Sequence, residues 1–143
     1  MLRTFDFKQV SLTFGSSLIQ GFAEGDDVIS LSPQADSFNS LAGADGEVTR
    51  SKTNDNRFLL TIRLLQTSPS NDDLMSVSLA DKLSNGGVQP LLLKDNNGNT
   101  LVGEGQAYIQ RIPDAGFGTN VSDREWVIML PNPDLFIGGN NAG

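Results

Sequence analysis

Val10, Leu12 and Phe14 alternate with Gln9, Ser11 and Thr13, the two-residue period of a half-buried strand. Gly15-Ser16-Ser17 then turns the chain. Leu18 to Phe22 and Val28 to Leu31 are expected as further short strands, parted by Gly25-Asp26-Asp27 and ended by Pro33. From Gln34 to Asn56 the pattern becomes polar and glycine-bearing, with only Phe38, Leu41 and Val48 as apolar positions. A connection of that length is uncommon in a compact domain and is usually functional or disordered. Its spaced hydrophobics argue for a long projecting loop or hairpin over about 34–56.

Arg57 to Gln66 is the clearest strand. Phe58, Leu60, Ile62 and Leu64 share one face, while Leu59, Thr61, Arg63 and Leu65 share the other. Apolar residues on both faces require cover on both sides, at least in part. A helix is expected over Ser70 to Leu83, capped by Ser70, with Asp72 and Asp73 at its positive end and Lys82 at its negative end. Met75, Leu79 and Leu83 form its apolar stripe, with Leu74 and Ala80 nearby. Asn85-Gly86-Gly87 ends it.

Val88 to Lys94 and Thr100 to Ile112 are expected as a hairpin about Asn97-Gly98, whose residues accept positive φ. Arg124 to Leu130 gives a last strand with Trp126, Ile128 and Leu130 on one side. Pro131 and Pro133 follow, and the Gly- and Asn-rich end is expected as an extended arm over about 131–143.

Composition narrows the chemistry. The 143 residues suit a single domain spanning 1–143. Fifteen glycines, spread along the whole chain with many Asn and Asp, punctuate short runs and point to a β-rich domain. Cysteine and histidine are both absent, which excludes disulfide scaffolds, thiolate zinc sites and imidazole-dependent catalysis. The formal charge is −7, and the ten basic residues are scattered singly, so no basic stripe for nucleic acid forms. No run approaches the ~20 apolar residues of a membrane-spanning helix, and no secretory leader is expected at Met1-Leu-Arg-Thr-Phe-Asp.

Candidate chemistry is thin. Asp26-Asp27 and Asp72-Asp73 are adjacent pairs, whose side chains diverge on a strand or a helix, so turn and cap roles account for them. Asp95, Asn97 and Asn99 loosely follow a calcium loop. The glycine and glutamate that an EF-hand loop needs are replaced by Thr100 and Gln106. The glycines at 103 and 105, or 116 and 118, lack the third glycine of a dinucleotide fingerprint. No nucleophile has an evident base beside it, so no enzyme, catalytic residue, metal or cofactor is expected.

Gly43-Ala-Asp-Gly-Glu-Val-Thr-Arg50, then Arg57 to Leu65, then Gln66-Thr-Ser-Pro-Ser-Asn71 before the helix, resembles the bacteriophage tail tube protein family of contractile-tailed phages. Phe5-Asp-Phe-Lys-Gln-Val, Gly21 to Ser30, Glu125-Trp126 and Gly138-Gly-Asn140 fit the same pattern, so the resemblance covers nearly the whole chain in order. It implies a mostly β fold, a small β-sandwich or barrel with one flanking α-helix at about 70–84. Such subunits form hexameric rings with a continuous inner β-barrel, and the rings stack into a tube.

The resemblance further implies a virion protein of the phage tail, made in the host cytoplasm, with no membrane association. Its partners are further copies of itself, the tail sheath protein, and baseplate and tail terminator proteins. The lumen holds the tape measure protein, then passes double-stranded DNA without sequence-specific binding. Six copies at −7 carry −42, and an acidic share facing the lumen would repel phosphate. On this footing the assembly-interface candidates are Phe38, Leu41, Asp45, Gly46, Glu47, Arg50, Asn54, Asp55, Leu135 and Phe136. The lumen-lining candidates are Leu59, Thr61 and Arg63 on one strand and Gln106, Tyr108 and Gln110 on another.

Three other readings stay open at this point. A tube protein of a phage-like bacterial injection device would share these features. A calcium- or carbohydrate-binding β-sandwich module would use Asp95, Asn97 and Asn99 or an aromatic platform, for which Trp126 and Tyr108 offer little surface. A carboxylate hydrolase would need two acids ~5–9.5 Å apart across a cleft.

Overall fold

The computed structural model describes residues 2–139. Its strands are β1 (Val10–Phe14), β2 (Ser17–Leu18), β3 (Ile29–Pro33), β4 (Phe38–Ala42), β5 (Val48–Lys52), β6 (Phe58–Leu65), β7 (Gln89–Asp95), β8 (Leu101–Arg111), β9 (Asp123–Leu130) and β10 (Asp134–Phe136). One helix, α1 (Ser70–Ser84), joins β6 to β7. All pairings are antiparallel, in the order β2-β1-β7-β8-β9-β6-β3, with β10 added to β8. β4 and β5 pair only with each other.

The long sheet bends at β8. Residues 101–107 of that strand pair with β7, and residues 108–111 pair with β9. Two half-sheets thus face each other like a sandwich, without closing into a barrel. Leu12, Phe14, Leu91, Leu93 and Val102 come from one half and Leu60, Ile62, Leu64, Trp126, Ile128 and Leu130 from the other, all in one buried cluster. Their alternate spacing is what the sequence offered: β1 and β6 each bury one parity of their residues, and β9 buries Trp126, Ile128 and Leu130 together with Met129 at its end.

α1 covers one end of this core, but not with the stripe expected. Leu79 and Leu83 are exposed, and the buried helix residues are Ser70, Leu74 and Ser78, with Met75 and Val77 packed at the margin. Small serine side chains let the helix approach the sheet around Leu74. Nor does Ser70 cap the helix. Pro69 holds the N-cap position, and the Ser70 hydroxyl turns inward to accept the Gln20 backbone N–H at 3.0 Å. The helix stops where expected, at Asn85, which takes the left-handed conformation at φ 57°.

Three local expectations are corrected by polar side chains. The strand from Leu18 to Phe22 stops after Leu18, and Phe22 makes a single bridge to Leu64. Gly21 breaks it at φ +77°, where a Cβ would lie 2.6 Å from the Ser68 side chain. At the β7–β8 turn Asn97 does not take positive φ. Instead the Asp95 carboxylate accepts the Asn97 backbone N–H at 2.8 Å and its Nδ2 at 2.9 Å. Asn97 Oδ1 in turn accepts the Asp6 N–H and its Nδ2 donates to Asp6 O, pinning the N-terminal segment to the turn. Asp95 Oδ1 and Asn97 Oδ1 thus serve the turn and its tie to Asp6.

The C-terminal segment does not leave the domain directly after Pro131. Asp134, Leu135 and Phe136 pair with Gly103, Val102 and Leu101 of β8, and Leu135 packs on the core. Residues 140–143, the end of the expected arm, lie outside the described residues.

Asn71 links the helix to Trp126, the largest side chain of the core. Its Oδ1 accepts the Trp126 indole N–H at 2.9 Å and its Nδ2 donates to the Leu65 carbonyl at 2.9 Å. Asn71→Ala is expected to destabilise the subunit by about 1–3 kcal/mol, because it strands a buried indole N–H. Urea unfolding followed by tryptophan fluorescence measures it, and an unchanged midpoint would show that the bond contributes nothing net.

Candidate assembly surfaces

The β4–β5 hairpin stands apart from the core, and every residue of both strands is exposed. Its register sets Phe38, Ser40 and Ala42 opposite Lys52, Arg50 and Val48. The tip is built by Gly43, whose N–H donates to Glu47 O at 2.7 Å, and by Gly46, whose N–H donates to Gly43 O at 3.0 Å. Gly46 needs φ +90°, and the Asp45 carboxylate accepts the Glu47 N–H at 3.1 Å. On the stem the Arg50 guanidinium lies 4.3 Å above the Phe38 ring, a contact of ~0.5–1 kcal/mol when exposed. A two-stranded ribbon is marginal by itself. Exposed Leu41 and Val48, on opposite faces of this one, are apolar positions that its own domain leaves uncovered.

At the hairpin root Arg57 grips Asp55 with Nε at 2.8 Å and Nη2 at 2.9 Å. That fork, with the Arg57 backbone N–H, holds the Asp55 carboxyl below its ordinary range and raises Arg57. Asn54 is exposed beside it. The hairpin candidates Phe38, Leu41, Asp45, Gly46, Glu47, Arg50, Asn54 and Asp55 are thereby brought onto one projection. Phe136 lies elsewhere, on β10, and Leu135 beside it is engaged by its own core.

A second surface is the outward face of the half-sheet β3-β6-β9-β8. Cross-strand register aligns Ser32, Leu59, Met129 and Tyr108 in one row, and Ser30, Thr61 and Val127 in the next. Arg63 opposes Glu125 and also contacts Asp123 at 3.8 Å, while its Nη2 donates to the Asp26 carbonyl. Leu59, Thr61, Arg63 and Tyr108 therefore share a face, as the strand parity implied, and all are half-buried. Gln106 is exposed two residues before Tyr108. Gln110 departs from the pattern. A bulge between Ile109 and Arg111 sets Arg111 opposite Val127, and Gln110 lines a groove against α1. Trp126 is buried in the core and offers no aromatic platform.

Sequence reasoning missed Glu125 and Val127 on this face, although they are simply the other parity of the strand carrying Trp126; Met129, of the same parity, is buried. It also missed a patch on the opposite half-sheet, where Leu92, Leu101 and Phe136 are each exposed on β7, β8 and β10. Leu101 and Phe136 are cross-strand partners. Only pairing of β10 with β8, invisible in the pattern, brings them together.

The profile of the family described as Bacteriophage PhiTE tail tube protein matches residues 3–138. The chain belongs to that family of tail tube proteins, which are structural tail components and not enzymes. Structural protein ORF10 of Pseudomonas phage KPP10 is 36% identical over 127 residues, covering 87% of this chain and 73% of its own. Among solved structures, the sheath/tube terminator of the PVC extracellular contractile injection system matches with a TM-score of 0.68 at 12% identity. That match covers 95% of this chain and 99% of the other. The tube-terminating cap of the anti-feeding prophage matches with a TM-score of 0.65 at 10% identity over 96% and 94% of the two chains. A chain of the PVC sheath-tube complex matches at 0.63 and 11% over 93% and 91%. At such identities the likeness establishes the fold alone.

The Asp55–Arg57 fork gives a pH signature. A depressed carboxyl adds stability to the root fully above its ordinary value of 3.8, and loses it as pH falls through the lowered one. In NMR titration the Asp55 carboxyl is expected to titrate below 3.8, and to rise toward it in Arg57→Gln, which keeps only the backbone N–H contact. An unshifted Asp55 in the native chain would mean that the fork does not form in solution.

Proposed function

We propose that this structural tail protein forms the inner tube of a contractile tail, six copies to a ring, the rings stacked into a conduit for double-stranded DNA. One observation carries the proposal: β3, β6, β9 and the end of β8 make a four-stranded half-sheet that, among the described residues, ends on unpaired strand edges. Beyond Ala107, β8 no longer pairs with β7, and β3 ends the sheet on the other side. Free edges of this kind invite pairing with another chain, and ring closure removes them. Six copies of four strands would give a continuous barrel of 24.

In such a ring the outward face carrying Leu59, Thr61, Arg63 and Tyr108 lines the lumen. Arg63 is offset there by Asp123 and Glu125, so the wall holds little net positive charge to retain phosphate. The tape measure protein occupies this channel before DNA does. The hairpin reaches an adjacent subunit or ring, the Leu92–Leu101–Phe136 patch meets the sheath, and the tube ends meet baseplate and terminator proteins. Synthesis takes place in the host cytoplasm. A phage-like injection device would use the same contacts, and membership of a phage family favours the DNA conduit.

Negative-stain electron microscopy at rising protein concentration tests the assembly. Hollow tubes of stacked six-fold rings are expected. A single-subunit particle at every concentration, or rings of another symmetry, would overturn the arrangement. Gly46→Val is expected to leave the thermal unfolding of the core unchanged yet hinder stacking, because valine is strained at φ +90°. Tubes of normal yield and length from this variant would remove the hairpin from the stacking contact.

A further inference from the structure

Lys82 on α1 and Arg111 at the end of β8 flank one groove, and among the described residues neither side chain makes an ion pair or a hydrogen bond. The groove encloses about 390 Å³ between Ser78, Lys82 and Asn85 on the helix and Ile109 to Ile112 on the strand. Asp81, the one carboxylate in its lining, is turned toward Gly87, whose N–H it accepts at 3.4 Å. Ile109 and Ile112 are half-buried and give the groove an apolar wall. The bulge at Gln110 is what brings Arg111 into it.

The hairpin tip has the opposite character. Asp45 and Glu47 flank Gly46, with no cation between Ala42 and Thr49, and exposed Leu41 and Val48 stand just behind. All tip residues are exposed, so the tip is not seated in the groove of its own chain.

Resting on the tube reading, we propose that the acidic hairpin tip of one subunit docks in the Lys82–Arg111 groove of a second copy. Asp45 and Glu47 meet the two unpaired cations there, while Val48, next to Glu47, covers the Ile109–Ile112 wall. Other clefts complement the tip less well. At the hairpin root Arg57 is already clasped by Asp55, and the cleft beside Arg63, which shares Arg111 and Ile112 with the groove, is lined by the three carboxylates Asp114, Asp123 and Glu125. Tip and groove are different surfaces, so the contact is head-to-tail and propagates from copy to copy. Its attraction is steering as well as adhesive, since complementary charge raises the rate of productive encounter and penalises wrong registers.

The test is a pair of reversed variants. One carries Asp45→Lys with Glu47→Lys, the other Lys82→Glu with Arg111→Glu, and thermal unfolding confirms that each is folded. Each alone sets like charges against each other, and is expected to need at least about tenfold more protein than the native chain to form tubes. Mixed one to one, the reversed tip fits the reversed groove and the native tip fits the native groove, so assembly returns. Native-like assembly of either variant alone overturns the docking, as does failure of the mixture. If the native protein itself forms no tubes, the tube reading fails instead. Sedimentation then reads the docking directly: the two variants must still associate with each other more strongly than either does with itself, and equal association overturns it.

Discussion

β6 is the element on which the rest depends. It lies between β3 and β9 and contributes Leu60, Ile62 and Leu64, each with no exposed surface, to the centre of the core. Each such side chain supplies ~1.5–3 kcal/mol of burial. The opposite parity of the same strand places Leu59, Thr61, Arg63 and Leu65 on a face that the subunit covers only by half. A strand this apolar on both sides cannot serve as the wall of an ordinary small sandwich without leaving greasy surface in water.

The folding problem is therefore solved on one face alone. A sheet bent at β8 wraps the inner parity, and α1 closes the end through Leu74 and two serines. Polar side chains secure the seams: Asn71 to Trp126, Ser70 to Gln20, and Asn97 to Asp6. No buried side-chain nitrogen or oxygen among the described residues lacks a hydrogen-bond partner. The interior is complete, whereas the outward face, two strand edges and the hairpin are not. That division suits a structural tail protein, whose working surfaces are those that meet other chains.

The acidic balance also falls unevenly. The two ion pairs among the described residues join Arg57 to Asp55 and Arg63 to Asp123, fixing the hairpin root and the edge of the half-sheet. Asp45 and Glu47 at the tip, and Lys82 and Arg111 beside α1, are left without ion-pair partners. Among the described residues, ion pairing holds the hairpin root and the edge of the half-sheet in place.

Much of this was legible in the residues. Alternation fixed the inner parity of β1, β6 and β9, and the polar run with spaced hydrophobics marked the hairpin before any coordinates. The motif blocks around Gly43–Arg50 and Gln66–Asn71 pointed to the family that the profile match then established. Two-residue periodicity says which residues share a face, because that is a property of the backbone alone. It does not say which partner covers the face. So the exposed Leu79 and Leu83, the inward Ser70, the β10 return onto β8 and the bulge that moves Gln110 to α1 were decided only by tertiary packing. Each turns on contacts between residues far apart in the chain, where the cheapest way to bury one group or satisfy one hydrogen bond overrides the local pattern. By itself the sequence determined the strands, their inner faces and the family, while the tertiary structure decided where those strands stop pairing and so which surfaces remain for assembly.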